Sequence, residues 1–338
     1  MVDDHPASTP SAGGPGRGRR RPTSRDVAAA AGVSRATVGF VLNRTPSQTI
    51  SEPTRRAVLD AARRLGYVPS AAARTLRSGR SRLVLLLTPP WVRTETLSDF
   101  TRTVTEELAA LGYVTVTHVT AGSAHPVLAA MTPAAVVSLA PLDPDDEAHL
   151  AAQHVPYVPA YLGDYPGNPR TLTIAQQDIG AAQARHLLER GYTRLVFVQP
   201  AESGYAGRTD GRWAGVRDAA GTAVPRLVVG DDLPAHVRTW AADDERVGVC
   251  AFDDGTALPV LAALRDAGVD VPGRVGVVGV DDSSAARHTH PPLTSVRLDL
   301  ATQAHDLARR VAAAVEGEPA PDPTPMEHPT RVVARAST

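Results

Sequence analysis

Along this chain the apolar positions change their period once, and the change divides it into two kinds of structure. Between Thr23 and Gly66 they recur at helical spacing in three short runs: Val27, Ala28 and Ala31, then Val38 and Val41, then Val58, Leu59, Ala62 and Leu65. That spacing places each set on one face of a helix and predicts three short amphipathic helices sharing a small core. From Leu83 onward, short and nearly continuous apolar runs appear at 83–88, 113–119, 134–139, 195–199, 248–252 and 275–280. Amphipathic stretches at 97–111, 179–190, 213–219 and 256–267 alternate with them. Apolar strands alternating with helices predict parallel sheets covered on both faces, the α/β class. No short-period repeat is visible.

The segments outside these patterns set the expected organisation. Residues 1–21 are rich in Pro, Gly, Ser and Arg, have little to bury, and are expected to form a disordered basic tail. A helical head is expected over 22–66, a short Ala- and Arg-rich linker over 67–82, and the α/β body over 83–338. The head carries clear punctuation. Gly32 stands where the chain must turn sharply, a place for positive φ. Val33 is placed to plug the corner between two helices, Ser34 to cap the second. Ser51 is the expected cap of the third helix, with Pro53 in its first turn, where a missing N–H costs nothing. A tight turn between two short helices is the geometry that sets the second in a DNA major groove.

Charge strengthens that reading. The formal net charge is only −1, but it is unevenly spread. Residues 1–80 hold 14 arginines against five acids, and the other 258 residues hold 21 against 31. A basic head on an acidic body points to nucleic acid at one end. All 35 basic residues are arginine. The single cysteine, Cys250, allows no intrachain disulfide, and no apolar stretch approaches the roughly 20 residues of a membrane helix. With no apolar leader after the first charges, a cytoplasmic protein that engages no membrane is expected.

The stretch DVAAAAGVSRATVGFVLN, followed by TISEPTRRAVLDAARRLGYVPSAAARTLRSGRS, resembles the head and hinge of the LacI/GalR family of bacterial repressors throughout 23–82. The resemblance implies that Arg35 and Ala36 occupy the two main base-reading positions of the recognition helix, and Phe40 a third. An arginine can bond a guanine edge with both arms, whereas alanine offers only a methyl contact. Phe40 departs from the polar or basic residue common in relatives, and either touches a thymine methyl or packs. Ser34, Thr37 and Asn43 are candidate phosphate anchors. The linker 69–77 is too short to be a stable helix alone in water. In the family the matching stretch folds on DNA, where a leucine wedges into the minor groove. Leu76 matches that leucine, and Ala73 and Arg77 match neighbouring contacts. Without the resemblance, Leu76 reads as a packing residue.

The resemblance also implies a two-lobed, periplasmic-binding-protein-like (Rossmann-like) core. It is carried by FDDGTALPVLAALRDAGVDVPGRVGVVGVDDSSAARHTHPPLTSVRLDL and the closing RVVARAST, whereas 83–170 match only in their order of elements. Ligands of open α/β sheets bind beyond the carboxyl ends of the strands. Two strands end there in paired acids, Asp253-Asp254 and Asp281-Asp282. Carboxylates converging on a cleft suit the hydroxyls of a sugar or an amine. Asp253 and Asp281 match effector-contacting positions of the family, and Arg212, read as lying just ahead of a helix beginning at Trp213, matches an effector-binding arginine. Trp91 and Tyr161 follow strands and are candidates for stacking on a sugar ring. For each acid the plain alternative is a helix cap or a solvated charge.

The expected function is a homodimeric repressor on a near-palindromic double-stranded operator, its affinity set by a small-molecule effector, a sugar or sugar derivative. No leucine heptads follow Thr330 that would build a larger assembly. A solute-binding receptor and an α/β enzyme are the alternatives. The first needs an export signal and no helix-turn-helix. For the second there is no nucleophile elbow, P-loop or dinucleotide fingerprint. His288 and His290 lack further partners at metal spacing, so neither a metal nor a cofactor is expected. Cys250, inside an apolar run, reads as core.

Overall fold

The computed structural model describes residues 22–42, 50–67, 81–90, 94–161, 175–201, 206–242, 244–322, 324 and 330–338. The expected tail over 1–21 and nearly all of the linker lie outside them. Residue contacts separate the chain into two units, Met1–Arg80 and Ser81–Thr338.

The head comprises α1 (Ser24–Ala31), α2 (Arg35–Leu42) and α3 (Glu52–Leu65). Thr23 caps α1 in a reciprocal box with Asp26: the Thr23 amide donates to Asp26 Oδ2 at 2.7 Å, and the Asp26 amide to Thr23 Oγ1 at 3.4 Å. α1 stops at Gly32, whose φ of 65° lets its amide turn back onto the carbonyls of Ala28 and Ala29. Ser34 Oγ then accepts the Thr37 amide at 3.1 Å, opening α2. Ser51 does the same for α3 through the Thr54 amide. Val27, Val38 and Val58 are fully buried at the centre, with Ala28, Val41, Ala61 and Ala62 around them. Each such valine stabilises the head by about 1.5–3 kcal/mol relative to an exposed one. Leu59 departs from expectation and is 40% exposed. The buried stripe of α3 runs through 58, 61, 62 and 65, and a residue one step after Val58 is turned about 100° away from it.

The body holds two sheets. The first, in the order β2-β1-β3-β4, is built from β1 (Leu83–Thr88), β2 (Val114–Val119), β3 (Ala135–Ser138) and β4 (Tyr157–Pro159), all parallel. Its helices are α4 (Glu95–Ala110), α5 (His125–Ala130) and α6 (Pro144–Ala152). The second contains β5 (Arg194–Gln199), β6 (Arg226–Val228), β7 (Val247–Ala251), β8 (Val275–Val280), β9 (Thr294–Leu298) and β10 (Thr330–Val333) in the order β10-β9-β8-β7-β5-β6. Only β10 runs antiparallel, against β9. With this sheet go α7 (Gln176–Glu189), α8 (Ala206–Ala220), α9 (Leu233–Ala242), α10 (Asp254–Asp266) and a 3-10 turn at Ser284–Arg287. α11 (Ala301–Glu316) follows β9 but packs against α4, β3 and β4. The chain therefore passes between the lobes after β4, after β9 and before β10, which couples the two lobes mechanically.

The strands β1 and β8 fall where expected, and β8 is buried along its whole length. β2 does not behave as a covered strand: Val114 and Val119 are about 60% exposed at the sheet edge. The three-residue strands β4 and β6 are too short to show a period. β9 hides its strand character behind buried Thr294 and Ser295, whose hydroxyls are satisfied within the body. The helix expected from 213 starts a full two turns earlier, at Ala206, because glycines at 207 and 211 and arginines at 208 and 212 obscure its apolar stripe. α7 and α8 approach very closely. A Cβ on Gly180 would lie 2.0 Å from the Arg212 carbonyl oxygen, and one on Gly215 would lie 1.9 Å from the Gln177 carbonyl oxygen. Among the described residues no helix is long and apolar enough to cross a membrane.

Candidate functional site

At the carboxyl ends of β7 and β8 the second lobe meets the start of α4 from the first. A cavity of about 280 Å³ opens here, lined among others by Thr94, Glu95, Asp253, Leu258, Asp281 and Ser283. A second space of about 450 Å³ lies on the other side of Asp281, against α4 and the crossover at 298–301. Asp281 thus stands at the junction of the lobes. Its φ of 101° is left-handed, as is the 49° of Asp282, and such conformations in non-glycine residues cost about 1–3 kcal/mol each. Backbone bonds hold this turn: the Asp281 amide donates to Val296 O at 2.9 Å, and the Asp282 amide to Ser295 Oγ at 2.9 Å. The turn sends the two neighbouring acids to different fates. Asp281 lines both cavities, whereas the Asp282 carboxylate is gripped by Arg297 and Arg335.

Beneath this junction sits a cluster of buried charge. Arg212 is fully buried on α8. Its Nε donates to Gln176 Oε1 at 2.9 Å, its Nη1 to the Phe252 carbonyl, and its guanidinium carbon lies 4.3 Å from the centre of the Phe252 ring. Its Nη2 has no hydrogen-bond partner among the described residues. Arg208, one turn earlier and 5% exposed, lies over the same ring at 5.2 Å. Burial, reinforced by repulsion from Arg208, lowers the Arg212 guanidinium to about 9 despite the attraction of Asp281, Asp253 and Asp254. Burial also pushes the Asp281 carboxyl above its ordinary value, against the pull of Arg212 and Arg208. Asp254 is raised to about 6 by burial, opposed by hydrogen bonds from Ser295 and Ser283. Its Oδ1 accepts from Ser295 Oγ at 2.6 Å and its Oδ2 from the Ser283 amide at 2.7 Å. Asp253 combines both of its expected readings. It lines the cavity, and its Oδ1 caps α10 by accepting the Thr256 amide at 2.7 Å.

Of the other residues singled out from sequence, Tyr161 follows β4, is 5% exposed, and brings its hydroxyl within 3.2 Å of that of Tyr157. Trp91 lies outside the described residues. In the head, Arg35 and Ala36 are exposed side by side in the first turn of α2, with Ser34 exposed just before them. Thr37 and Phe40 are half-buried, and Phe40 stands apart from the cluster that forms the head core. Asn43, Ala73, Leu76 and Arg77 lie outside the described residues. Sequence reasoning passed over Arg208, Phe252, Glu95 and Thr96. An Arg pair four residues apart was the available signal for Arg208, hidden by the late placement of the helix start. Cys250 lies fully buried in β7, and burial pushes its thiol up, as a core residue requires. Among the described residues no three His, Cys, Asp or Glu side chains gather as a metal site would require.

Comparison with known proteins brings the two units together. Residues 23–70 match the model of bacterial regulatory proteins, lacI family, and residues 184–338 that of a periplasmic binding protein-like domain. The HTH-type transcriptional regulator CelR of Thermobifida fusca is 32% identical over 94% of this chain and 99% of its own length. The chain belongs to the LacI family. It is a DNA-binding transcriptional regulator with a helix-turn-helix head and a periplasmic-binding-protein-like two-lobed core, as its resemblance to LacI/GalR proteins implied. Among solved structures of this LacI-family fold, one described as a transcriptional regulator CelR–cellobiose complex aligns with a TM-score of 0.63 and 28% identity, covering 94% of this chain and all of that one. A lac repressor dimer bound to operator and the anti-inducer ONPF aligns with a TM-score of 0.76 over 94% of this chain and 99% of that one. At 22% identity, that second likeness speaks for the LacI fold alone.

Proposed function

We propose that this LacI-family regulator is a repressor that binds a near-palindromic operator as a homodimer and is controlled by a small carbohydrate or carbohydrate derivative held between its lobes, without catalysing a reaction. The observation that carries the reading is the placement of Asp281. A strained, partly buried carboxylate at the junction of two lobes, backed by a buried arginine with an unused donor, suits a ligand rich in hydroxyls. The relative whose structure is described as a cellobiose complex supports a sugar. Arg212, Asp253, Tyr161 and Trp91 are assigned to the same ligand. By whatever factor the effector changes operator affinity, typically 5- to 150-fold, the operator must change effector affinity by the same factor.

On the DNA side, the exposed Arg35 is assigned to a guanine edge, Ala36 and Phe40 to methyl contacts, and Ser34, Thr37 and Asn43 to phosphates. Ser34 Oγ caps α2 by accepting the Thr37 amide and shares a hydrogen bond of 2.9 Å with Thr37 Oγ1, so the two hydroxyls form one polar pair at the start of α2. Leu76 is assigned to wedging in the minor groove, flanked by Ala73 and Arg77. Selection of fragments from a random DNA pool by the purified full chain, at two salt concentrations, tests this. An enriched near-palindrome with steep salt dependence supports the reading, and its genomic neighbours supply effector candidates. Salt-sensitive binding with no enriched sequence would overturn sequence-specific repression. Asp281→Ala should then abolish the effector response while leaving operator affinity intact.

A further inference from the structure

Resting on the reading of the protein as a homodimer, we infer that two copies meet along the outer edge of β2, each β2 running antiparallel to the other across the two-fold axis. β2 is the outermost strand of the first sheet. It pairs with β1 on one side and, among the described residues, with no strand on the other. Its sequence, Val114-Thr115-Val116-Thr117-His118-Val119, is β-branched at every position but His118, a composition that favours strands. Val114 and Val119 are 62% and 60% exposed, and Leu111, just past the end of α4, is 51% exposed. An uncovered edge presents N–H and C=O groups to any passing chain, and proteins blunt such edges by shortness, charge or proline. The other edge strands of the two sheets are blunted in these ways. β4 has three residues and ends in Pro159, β6 has three and begins with the exposed Arg226, and β10 carries the exposed Arg331. β2 is longer, uncharged and free of proline.

Charge identifies what covers this edge. Residues 108–142 contain no Asp, Glu, Lys or Arg, in a chain of which 21% is charged. Much of that stretch lies at the surface: Ala109, Ala110, Thr117 and His118 are exposed beside Leu111, Val114 and Val119. Solvated surface ordinarily carries charge, and its depletion marks the centre of an interface. A strongly charged partner would find no complementary group on this strand. A second copy needs none. Residues 81–338 hold 21 arginines against 31 acids, so two bodies repel each other over much of their surface, and a neutral face is where they approach without opposing like charges. A two-fold interface must also complement itself. An edge strand does so by geometry, because half a turn about an axis normal to the sheet reverses its direction. It then faces its copy antiparallel, with donors opposite acceptors. The two first-lobe sheets become one continuous sheet, and neither edge is left open.

The test is sedimentation velocity on the full chain as wild type, Thr117→Arg, Thr117→Glu, and an equimolar mixture of the two variants. Thr117 is exposed near the middle of β2, so in the antiparallel pair its two copies lie directly opposite or diagonal to each other, within reach of long side chains. Wild type should dimerise. Each variant alone sets like charges against each other and should raise the dimer dissociation constant about tenfold or more, and the mixture should recover most of the loss as a heterodimer. Circular dichroism checks folding. Val119→Glu, at a second exposed position, serves if the Thr117 variants do not fold. Self-association unchanged in the variants overturns the inference, leaves the homodimer reading standing and returns the edge to another partner. Weakened association that the mixture does not restore overturns the antiparallel pairing. A wild type that is monomeric at every concentration tells against both the interface and the homodimer.

Discussion

Glu95 and Ser284 belong to opposite lobes, yet Glu95 Oε2 accepts the Ser284 amide at 2.7 Å. Glu95 sits in the first turn of α4 and Ser284 opens the 3-10 turn after β8. Beside this bond, Thr96 Oγ1 donates to the Asp281 carbonyl at 3.1 Å. Two consecutive residues of one lobe thus hold the turn that carries Asp281, the acid proposed to contact the effector, in the other. Both ends of the Glu95 bond are solvent-exposed, so it contributes about 1 kcal/mol. Glu95→Ala should speed hydrogen exchange of the Ser284 amide by about five- to tenfold, while Glu95→Gln, which keeps an acceptor, should change it much less. Unchanged exchange in Glu95→Ala would mean that the bond does not hold the lobes.

Asp282 should prove a keystone of the second lobe. Its side chain is 1% exposed and is held by Arg335, itself 15% exposed, and by the half-exposed Arg297. Burial alone would raise its carboxyl, but hydrogen bonds from Arg335 and Arg297 outweigh burial and hold it below the ordinary range. A depressed carboxylate stabilises the fold above its unfolded pKa of about 3.9, and the contribution vanishes as pH falls through the folded value. Asp282→Ala strands the Arg335 charge and should cost about 3 kcal/mol at pH 7. For a unit of this size that lowers Tm by roughly 6–12 °C. Thermal melts of both proteins at pH 7 and pH 3 check it, the gap narrowing in acid.

Asp254 should behave in the opposite sense. Its folded value of about 6 lies above the unfolded value near 3.9. Between those limits the native state takes up a proton that the unfolded chain does not, so this group adds stability as pH falls from 7 toward 4. Asp254→Asn cannot titrate. The Tm difference between wild type and Asp254→Asn should therefore shift in favour of wild type when pH is lowered from 7.5 to 5. A constant difference would place the carboxyl at its ordinary value.

The α7–α8 contact should tolerate no added methyl. In Gly180→Ala or Gly215→Ala the new carbon meets backbone at 2.0 or 1.9 Å, and backbone cannot rotate aside. Each substitution should destabilise by about 1–3 kcal/mol, or more if the helices cannot part. Because α8 carries Arg212, either change should also weaken effector binding, which titration of the surviving folded protein would reveal.

In the head, Arg35 is exposed and takes no part in the core, so Arg35→Ala should leave stability within about 0.5 kcal/mol of wild type while weakening operator binding by about 1–3 kcal/mol. Loss on random DNA to the same extent would reassign Arg35 from base to phosphate. Val38→Ala, by contrast, opens a cavity in the head core and should unfold the head before it touches recognition.

The head was legible in sequence because its information is local. Caps, the Gly32 turn and the buried stripes all lie within a few residues of one another, and the one misplaced residue, Leu59, was off by a single helical step. The long apolar strands were legible for the same reason, since strands such as β8 are buried on both faces and announce themselves by composition. Asp281 could be picked out because it ends such a strand. What tertiary structure alone decided is how distant residues share a space. Asp281 and Asp282 are adjacent and chemically identical, yet one faces the cleft and the other is buried against Arg297 and Arg335, a difference set by two left-handed residues and by partners far along the chain. The same holds for Arg208, Arg212 and Phe252, gathered from a helix and the end of a strand. Periodicity reports which face of an element is apolar. It does not report what the opposite lobe brings to a polar cluster, because that depends on how the crossovers bring the two lobes together.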